Sequence, residues 1–350
     1  MTASSRVVFV DLLRFVAALQ MLQGHTIAAL LAPEFRHGAV YASWSTARGL
    51  TSVAFLFAAG LSFYLATERS SAAANGGRRR MLRAARLVGL GYLLHLPVGL
   101  LSSNPATQAG ALRELAAVDV LQCIGVSMLL LEALRALVSS PRARVGAALA
   151  IAVGLFALAP LANQLGATGP LRPLLAYLTP TGGSLFPLTP WAAHVFAGFA
   201  CGAAVRMGAA PAGNRFLGIS CIPRSLGVRL AAIVALASLL ALTLVACGAP
   251  RVLTDHASRH AGVLAVCWIL WFAGERLKVV PSLVATLAQH TLVLYVFHVL
   301  LVYGQGVGLA AWIGPRLGPG WAVIGAVFVV AASAAVALGY DRLARARRTG

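Results

Sequence analysis

The first apolar segment of the chain carries three ionisable residues whose spacing suits chemistry inside a membrane. In VDLLRFVAALQMLQGH, a helical period places Asp11, Arg14 and His25 close to one face. At about 1.5 Å per residue, Arg14 and His25 are separated by roughly 16 Å and mark two levels of one stripe. Neutral histidine suits a general base and arginine suits an anionic group, so the segment predicts a catalytic stripe.

A structural interpretation of these three residues stays open. Asp11 and Arg14 could form an i,i+3 ion pair that reaches the cytoplasmic interface, with His25 as an interfacial residue. Ionisable groups inside hydrocarbon are costly unless they are paired or hydrated, and this cost favours a functional role.

Polar residues also stand in the apolar segments VDVLQCIGV and TPWAAHVFAGFACG. Asp119 and Gln122 lie one turn apart, and His194 lies in what the topology makes an outer half of its helix. We predict that all three line a pocket for an acceptor. Asp119 would serve equally well as a helix cap, and Trp191 is typical of an interface anchor.

The segment LAQHTLVLYVFH repeats the pattern. Thr291, Tyr295 and His298 fall at i, i+4 and i+7, so they form one polar stripe that must face protein or water. Tyr295 and His298 are predicted to join the acceptor pocket, with His290 nearer the cytoplasm. A packed histidine that donates to a backbone carbonyl is the alternative for His298.

The composition requires lipid around these segments, because 59% of the 350 residues are hydrophobic and only 11% are charged. Apolar runs of roughly 20 residues are long enough to span a bilayer. They lie near 7–31, 49–67, 82–103, 118–138, 145–164, 189–208, 228–247, 258–275, 283–306 and 320–341. The sequence therefore predicts an all-α, polytopic transmembrane bundle of about ten helices, in one domain over 1–350.

Basic residues lie in short clusters between the runs, so the net charge of +19 indicates membrane topology rather than nucleic-acid binding. The alternation places both termini in the cytoplasm. The outward loops 33–48 and 165–188 are poorer in basic residues, and the second, rich in Pro and Gly, could form a re-entrant or lid segment. Five scattered cysteines without a CxxC pair predict no metal site.

The motifs together resemble a known family. RVVFVDLLRFVAALQMLQGH is similar to the first helix of bacterial membrane acyltransferases, in which ten residues separate an arginine from a histidine. GLTSVAFLFAAGLSFYLA, VDVLQCIGVSMLLL, LFPLTPWAAHVFAGFACG and LAQHTLVLYVFH resemble the heparan-alpha-glucosaminide N-acetyltransferase-like family, a relative of the acyltransferase 3 family. The resemblance implies transfer of an acyl group, acetyl in the first instance, from cytoplasmic acyl-CoA to a sugar hydroxyl or amine on the outer face.

The resemblance also implies roles for the stripe. His25 would be the general base or a transient acyl carrier, Arg14 would steer the donor or stabilise developing charge, and Asp11 would hold Arg14. Arg83 and Arg86 would attract the CoA phosphates, although topology alone also explains these arginines. The implied location is a bacterial inner membrane, with lipid and a glycan or other small acceptor as partners.

Two features depart from the family pattern. Lysosomal members carry asparagine at the place of His25, and a catalytic histidine in the first lumenal loop at the place of Trp44. His37 is the single histidine in that loop here and is the second candidate base. The family's Leu-Gln-Arg becomes Leu-Gln-Cys at 121–123, which weakens an anion-binding role there.

Two other functional classes remain open at this point. A proton-coupled transporter or flippase would use the same intramembrane residues as a relay or substrate pathway. A protein that keeps the fold without catalysis would also fit, because the loop histidine is missing.

Overall fold

The computed structural model describes residues 8–69, 75–166, 169–208, 224–277 and 280–349. Regular structure in these ranges is helical, apart from one isolated β-bridge. The helices are α1 (Val8–Leu30), α2 (Gly38–Arg69), α3 (Gly76–Leu94), α4 (Pro105–Leu115), α5 (Val120–Leu137), α6 (Pro141–Ala162), α7 (Arg172–Leu175), α8 (Leu188–Gly208), α9 (Arg224–Ala246), α10 (Arg251–Arg276), α11 (Ser282–Gln289), α12 (Thr291–Tyr303), α13 (Leu309–Trp312) and α14 (Pro319–Thr349).

The predicted all-α class is confirmed, and each of the ten apolar runs overlaps a helix, the ninth overlapping both α11 and α12. Within the described ranges, five helices are long and apolar enough to cross a membrane, and α11 with α12 forms a sixth candidate that is bent by 71°. The span count of ten and the cytoplasmic placement of the termini stay predictions.

Two predicted boundaries are wrong. The loop 33–48 is mostly helical, because α2 begins at Gly38 and the following AVYASWSTAR contains no helix-breaking residue. The third run ends early, since α3 stops at Leu94, three residues before Pro97, whose ring and missing N–H do not continue a helix.

The described residues group into two compact units, the first formed by 8–54 with 266–349 and the second by residues between 55 and 265. In the first unit, α1 packs against α11, α12 and α14. Leu13, Leu22 and Leu30 of α1 are almost fully buried in these contacts. This packing makes α1 the central helix of its unit.

The C-terminal end of α1 is fixed by backbone contacts. Ala32 N donates to Leu317 O and Leu317 N donates to Leu30 O, both at 2.9 Å. The Arg36 side chain donates to the carbonyl oxygens of Ala28 and Leu31. Carbonyls at the C-terminal end of a helix have no N–H donor within the helix, so this side chain satisfies them. The last turns of α1, which hold His25, are therefore held in a defined position.

In the second unit, α3 packs along α5, and α6 and α5 pack along α8. Glycines allow two of the close approaches. A Cβ on Gly198 of α8 would lie 2.1 Å from the carbonyl oxygen of Phe57 in α2, and one on Gly125 of α5 would lie 2.8 Å from the carbonyl oxygen of Ala84 in α3. Small residues at such crossings are typical of helices that associate in a membrane.

We expect Gly198→Ala to lower the thermal stability of the purified protein, because the helix contact must open; overpacking of this kind costs about 1–3 kcal/mol. Gly154→Ala on α6 is the matched control, since nothing lies within 4 Å of its Cβ position. That control should melt at or above the wild-type temperature. Equal melting of the two variants in detergent would contradict the crossing.

Candidate active site

Two pairs of side chains join α1 to α12 in the first unit. Arg14 Nη2 donates to Thr291 Oγ1 at 3.1 Å. Further along both helices, His25 Nδ1 lies 2.9 Å from His298 Nε2. The two predicted polar stripes therefore face each other at two levels, and α1 and α12 run in the same direction.

The protons of the histidine pair follow from a backbone contact. His298 Nδ1 lies 3.1 Å from Leu294 O, and a carbonyl only accepts, so this nitrogen carries the proton. In a neutral His298 ring, Nε2 is then the acceptor and His25 Nδ1 donates to it. The lone pair of a neutral His25 is consequently on Nε2.

Aromatic rings surround this pair. The Tyr295 ring meets His298 edge-on with centroids 5.5 Å apart, and the Tyr303 ring meets His25 at 5.9 Å. The Tyr303 hydroxyl donates to the carbonyl oxygen of His25 at 3.0 Å. His298 is fully buried, whereas His25 is half-buried. The pair is thus fixed in orientation, with His25 as its more accessible member.

An arginine that the sequence did not single out, Arg48, packs its side chain against the turn of α1 that holds His25. A Cβ on Gly24 would lie 2.9 Å from Cγ of Arg48, and the Arg48 guanidinium sits 5.5 Å from the ring centre of Trp44. Trp44 Nε1 in turn donates to Gln23 Oε1 at 2.9 Å. Within the described residues, the buried Nε of Arg48 has no hydrogen-bond partner. This site therefore has a cation with an unused donor at the level of His25.

The other members of the predicted first-helix stripe lie further toward the start of α1. Asp11 is buried, and Arg14 is half-buried against Thr291. His37, the second candidate base, is exposed just before α2. The structure therefore favours His25 over His37 as a held and oriented base.

Asp119 is a cap and also an ion-pair partner. It is the N-cap residue of α5, where its Oδ1 accepts from Val120 N at 2.7 Å, and its Oδ2 lies 2.9 Å from His95 Nε2. His95 Nδ1 lies 3.0 Å from Gly91 O, so both ring nitrogens face acceptors. Only the imidazolium satisfies both. The hydrogen bond to Asp119 accordingly raises the pKa of His95, against a smaller effect of burial.

Gln122, one turn into α5, is fully buried against Gly91 of α3. Within the described residues, its amide oxygen and nitrogen have no hydrogen-bond partner. The loop before α8 covers this end of α5, because Val118 N donates to Ser184 Oγ and Val118 O accepts from Leu185 N. Residues 184–186 of the predicted outward loop are thus bound to the start of α5, and a lid role of the loop stays a prediction.

His194 belongs to a cluster of three histidines in the second unit. Its Nδ1 lies 2.9 Å from His260 Nδ1 and its Nε2 lies 3.1 Å from His256 Nδ1. Phe156 and Trp191 meet these rings edge-on. Among the described residues, no group of His, Cys, Asp or Glu has an arrangement that could hold a metal ion.

The arginines of α3 differ in their surroundings. Arg80 makes a two-point contact with the carboxylate of Glu132, at 2.8 and 2.9 Å, and Arg135 donates to the same carboxylate at 3.0 Å. Arg83 and Arg86 are exposed on α3. The two arginines predicted to meet CoA are therefore accessible.

Three histidines of these contacts were missed in the sequence. His256 and His260 stand four residues apart, the spacing of one helix face, but the predicted span began only at 258 and left His256 in a loop. His95 lies at the end of α3, inside a run that was read as continuous. A search for i,i+4 histidine pairs finds the first two.

The comparison with known families gives one match. A family model described as "Heparan-alpha-glucosaminide N-acetyltransferase, catalytic" matches residues 6–246, which is more than half of the chain. The match includes His25, Arg48 and His194, whereas His298 and the α10 histidines lie beyond it. No curated protein matches the chain.

The His95–Asp119 ion pair predicts a pH-dependent stability. Because the folded-state pKa of His95 is raised above its usual value of about 6.5, the contribution is complete below that pH and is lost as the pH rises through the folded-state pKa. We expect this contribution to the melting temperature to be lost as the pH rises above about 6.5 and through the raised folded-state pKa of His95. In His95→Gln this loss should disappear, while His37→Gln should keep it. An identical pH profile for wild type and His95→Gln would contradict the ion pair.

Proposed function

The chain belongs to the family of heparan-alpha-glucosaminide N-acetyltransferase catalytic domains, and we propose that it moves an acetyl or other acyl group from acyl-CoA to a sugar hydroxyl or amine across a membrane. The family and the apolar helices support an integral membrane protein with an acetyltransferase type of activity. The donor at the cytoplasmic face, the acceptor at the opposite face and a bacterial inner membrane are parts of the proposal.

The hydrogen-bonded chain from His25 through His298 to Leu294 O is the observation that carries the proposal. It leaves a lone pair on His25 Nε2 and holds the ring in one tautomer, which is what a general base requires. The base takes the proton of the acceptor hydroxyl while the acceptor oxygen attacks the thioester carbonyl. When the C–S bond breaks, the CoA thiolate receives that proton, so the products are an ester and free CoA.

The same lone pair would allow His25 to act as an acyl carrier. Nε2 would then attack the thioester carbonyl and release CoA, and the acceptor would attack the resulting acyl-imidazole. The two routes differ in one observable, because only the second leaves label on the protein when the acceptor is absent.

Arg48 is the proposed source of positive charge beside His25. Arg14 lies about 16 Å away along α1, too far to stabilise charge at the same carbon. A buried donor without a hydrogen-bond partner in the described residues suits an oxyanion that exists only during transfer. Arg14, held by Thr291 and near Asp11, is proposed to act on the donor instead.

The remaining predicted site residues are proposed to act on either the donor or the acceptor, according to their exposure and their chemistry. Arg83 and Arg86, exposed on α3, are proposed to attract the CoA phosphates. Asp119, Gln122 and Tyr295 are proposed to act on the acceptor directly. His298 is proposed to act on it only through His25, and His194 only indirectly, because both of its ring nitrogens contact other histidines.

Label transfer from radiolabelled acetyl-CoA tests the base. In nanodiscs, His25→Gln should lower kcat/KM by about 10²–10⁴-fold, since the amide cannot take the proton. His37→Gln is the matched control at an exposed histidine and should keep the wild-type rate. Unchanged transfer in His25→Gln would overturn the assignment of the base.

The same preparation separates the other classes. A wild-type protein that binds no CoA but moves protons with a solute would be a transporter. A wild-type protein that binds CoA and transfers nothing would have kept the fold without catalysis. Either result overturns the proposed transfer.

Replacement of Arg48 tests the electrostatic role. Arg48→Met should lower kcat by about 10²–10³-fold with little change in KM, because the lost charge acts on the transition state. Arg316→Met, at an exposed arginine, is the control and should leave both constants unchanged. A rise in KM with unchanged kcat would place Arg48 in substrate binding and contradict the role proposed here.

A further inference from the structure

We propose that His256, His194 and His260 form a proton relay inside the second unit. His194 on α8 stands between the two α10 histidines, with nitrogen–nitrogen distances of 3.1 Å to His256 and 2.9 Å to His260. Both nitrogens of the central ring are used. The observations that carry the relay all lie in the second unit, and its test does not use the proposed acyl transfer.

The three hydrogen-bonded rings have two possible arrangements of their protons. Three neutral imidazoles carry three ring protons, and each of the two contacts needs one proton between its nitrogens. The third proton is therefore on Nε2 of an end ring. If it is on His260, the hydrogen bonds point from His256 to His260; if it is on His256, they point the other way. The two arrays use the same heavy-atom positions.

A proton that arrives at one end converts one array into the other. When His256 Nε2 gains a proton, His256 Nδ1 gives its proton to His194 Nε2. His194 Nδ1 then gives its proton to His260 Nδ1, and His260 Nε2 releases one. One proton has entered and one has left, and no ring has gained a net charge.

The surroundings favour a transient charge rather than a stored one. His194 is fully buried and His256 is 7% exposed, so a lasting imidazolium would be costly. Phe156 touches all three rings edge-on, Phe57 meets the His260 ring and Trp191 meets the His256 ring.

The charge that faces these rings is also positive. Arg259 is the neighbour of His260 in α10 and lies three residues from His256, so its like charge further disfavours a lasting imidazolium in this cluster.

The test is nitrogen NMR of the full-length protein in nanodiscs, with labelled histidine. If the chain relays protons, both His194 nitrogens give resonances between the protonated and unprotonated positions, because the two arrays exchange. In His194→Gln the amide has one fixed donor and one fixed acceptor, so His256 and His260 should each shift to a single tautomer. His37→Gln should leave the averaged resonances unchanged.

The wild-type spectrum alone can overturn the proposal. One fully protonated and one fully unprotonated nitrogen on His194 would mean a fixed tautomer and no relay. Retained exchange averaging at His256 and His260 in the His194→Gln variant would also overturn it. Unchanged resonances of His25 and His298 show that the variant is folded, and acyl transfer plays no part in the readout.

Discussion

Hydrocarbon supplies no hydrogen-bond partners, so polar groups on membrane-spanning helices must be satisfied by other parts of the protein. In the first unit, polar side chains of two apolar helices satisfy one another, because Arg14 with Thr291 and His25 with His298 join α1 to α12. The pairing of the histidines also has a chemical consequence. Because His298 Nε2 accepts, the proton of a neutral His25 is on Nδ1. The packing that satisfies the His25 ring therefore also gives its Nε2 the lone pair of a base.

The faces of the helices could be predicted from the sequence, because helical periodicity is a local property. The stripe of Thr291, Tyr295 and His298 is oriented as expected, with Thr291 and His298 toward α1. Which face meets which could not be predicted, since His25 and His298 are 273 residues apart and periodicity carries no information on partners. Of the two alternatives left open for Asp119, the structure shows the cap on α5, and its contact with His95 was not predicted.

The site residues that the sequence does not reveal are missed mainly because their helices begin earlier than the apolar runs do. Arg48 was assigned to a loop because the apolar run begins near it, whereas α2 continues to Gly38 on helix propensity alone. His256 was lost in the same way, because polar residues in the first turns of α10 hide a helix that begins at Arg251. Hydropathy reports the part of a helix that lipid must cover, and chemistry in such proteins is often placed at the ends of that part.

The central claim is that His298 acts only through His25, and a double-mutant cycle on acyl transfer tests it most directly. His298→Leu alone should lower kcat/KM by about 10–10⁴-fold, because His25 loses the acceptor that fixes its tautomer. In the His25→Gln background, the same change should have almost no further effect, because there is no base left to orient. Equal losses from His298→Leu in the two backgrounds would contradict the account.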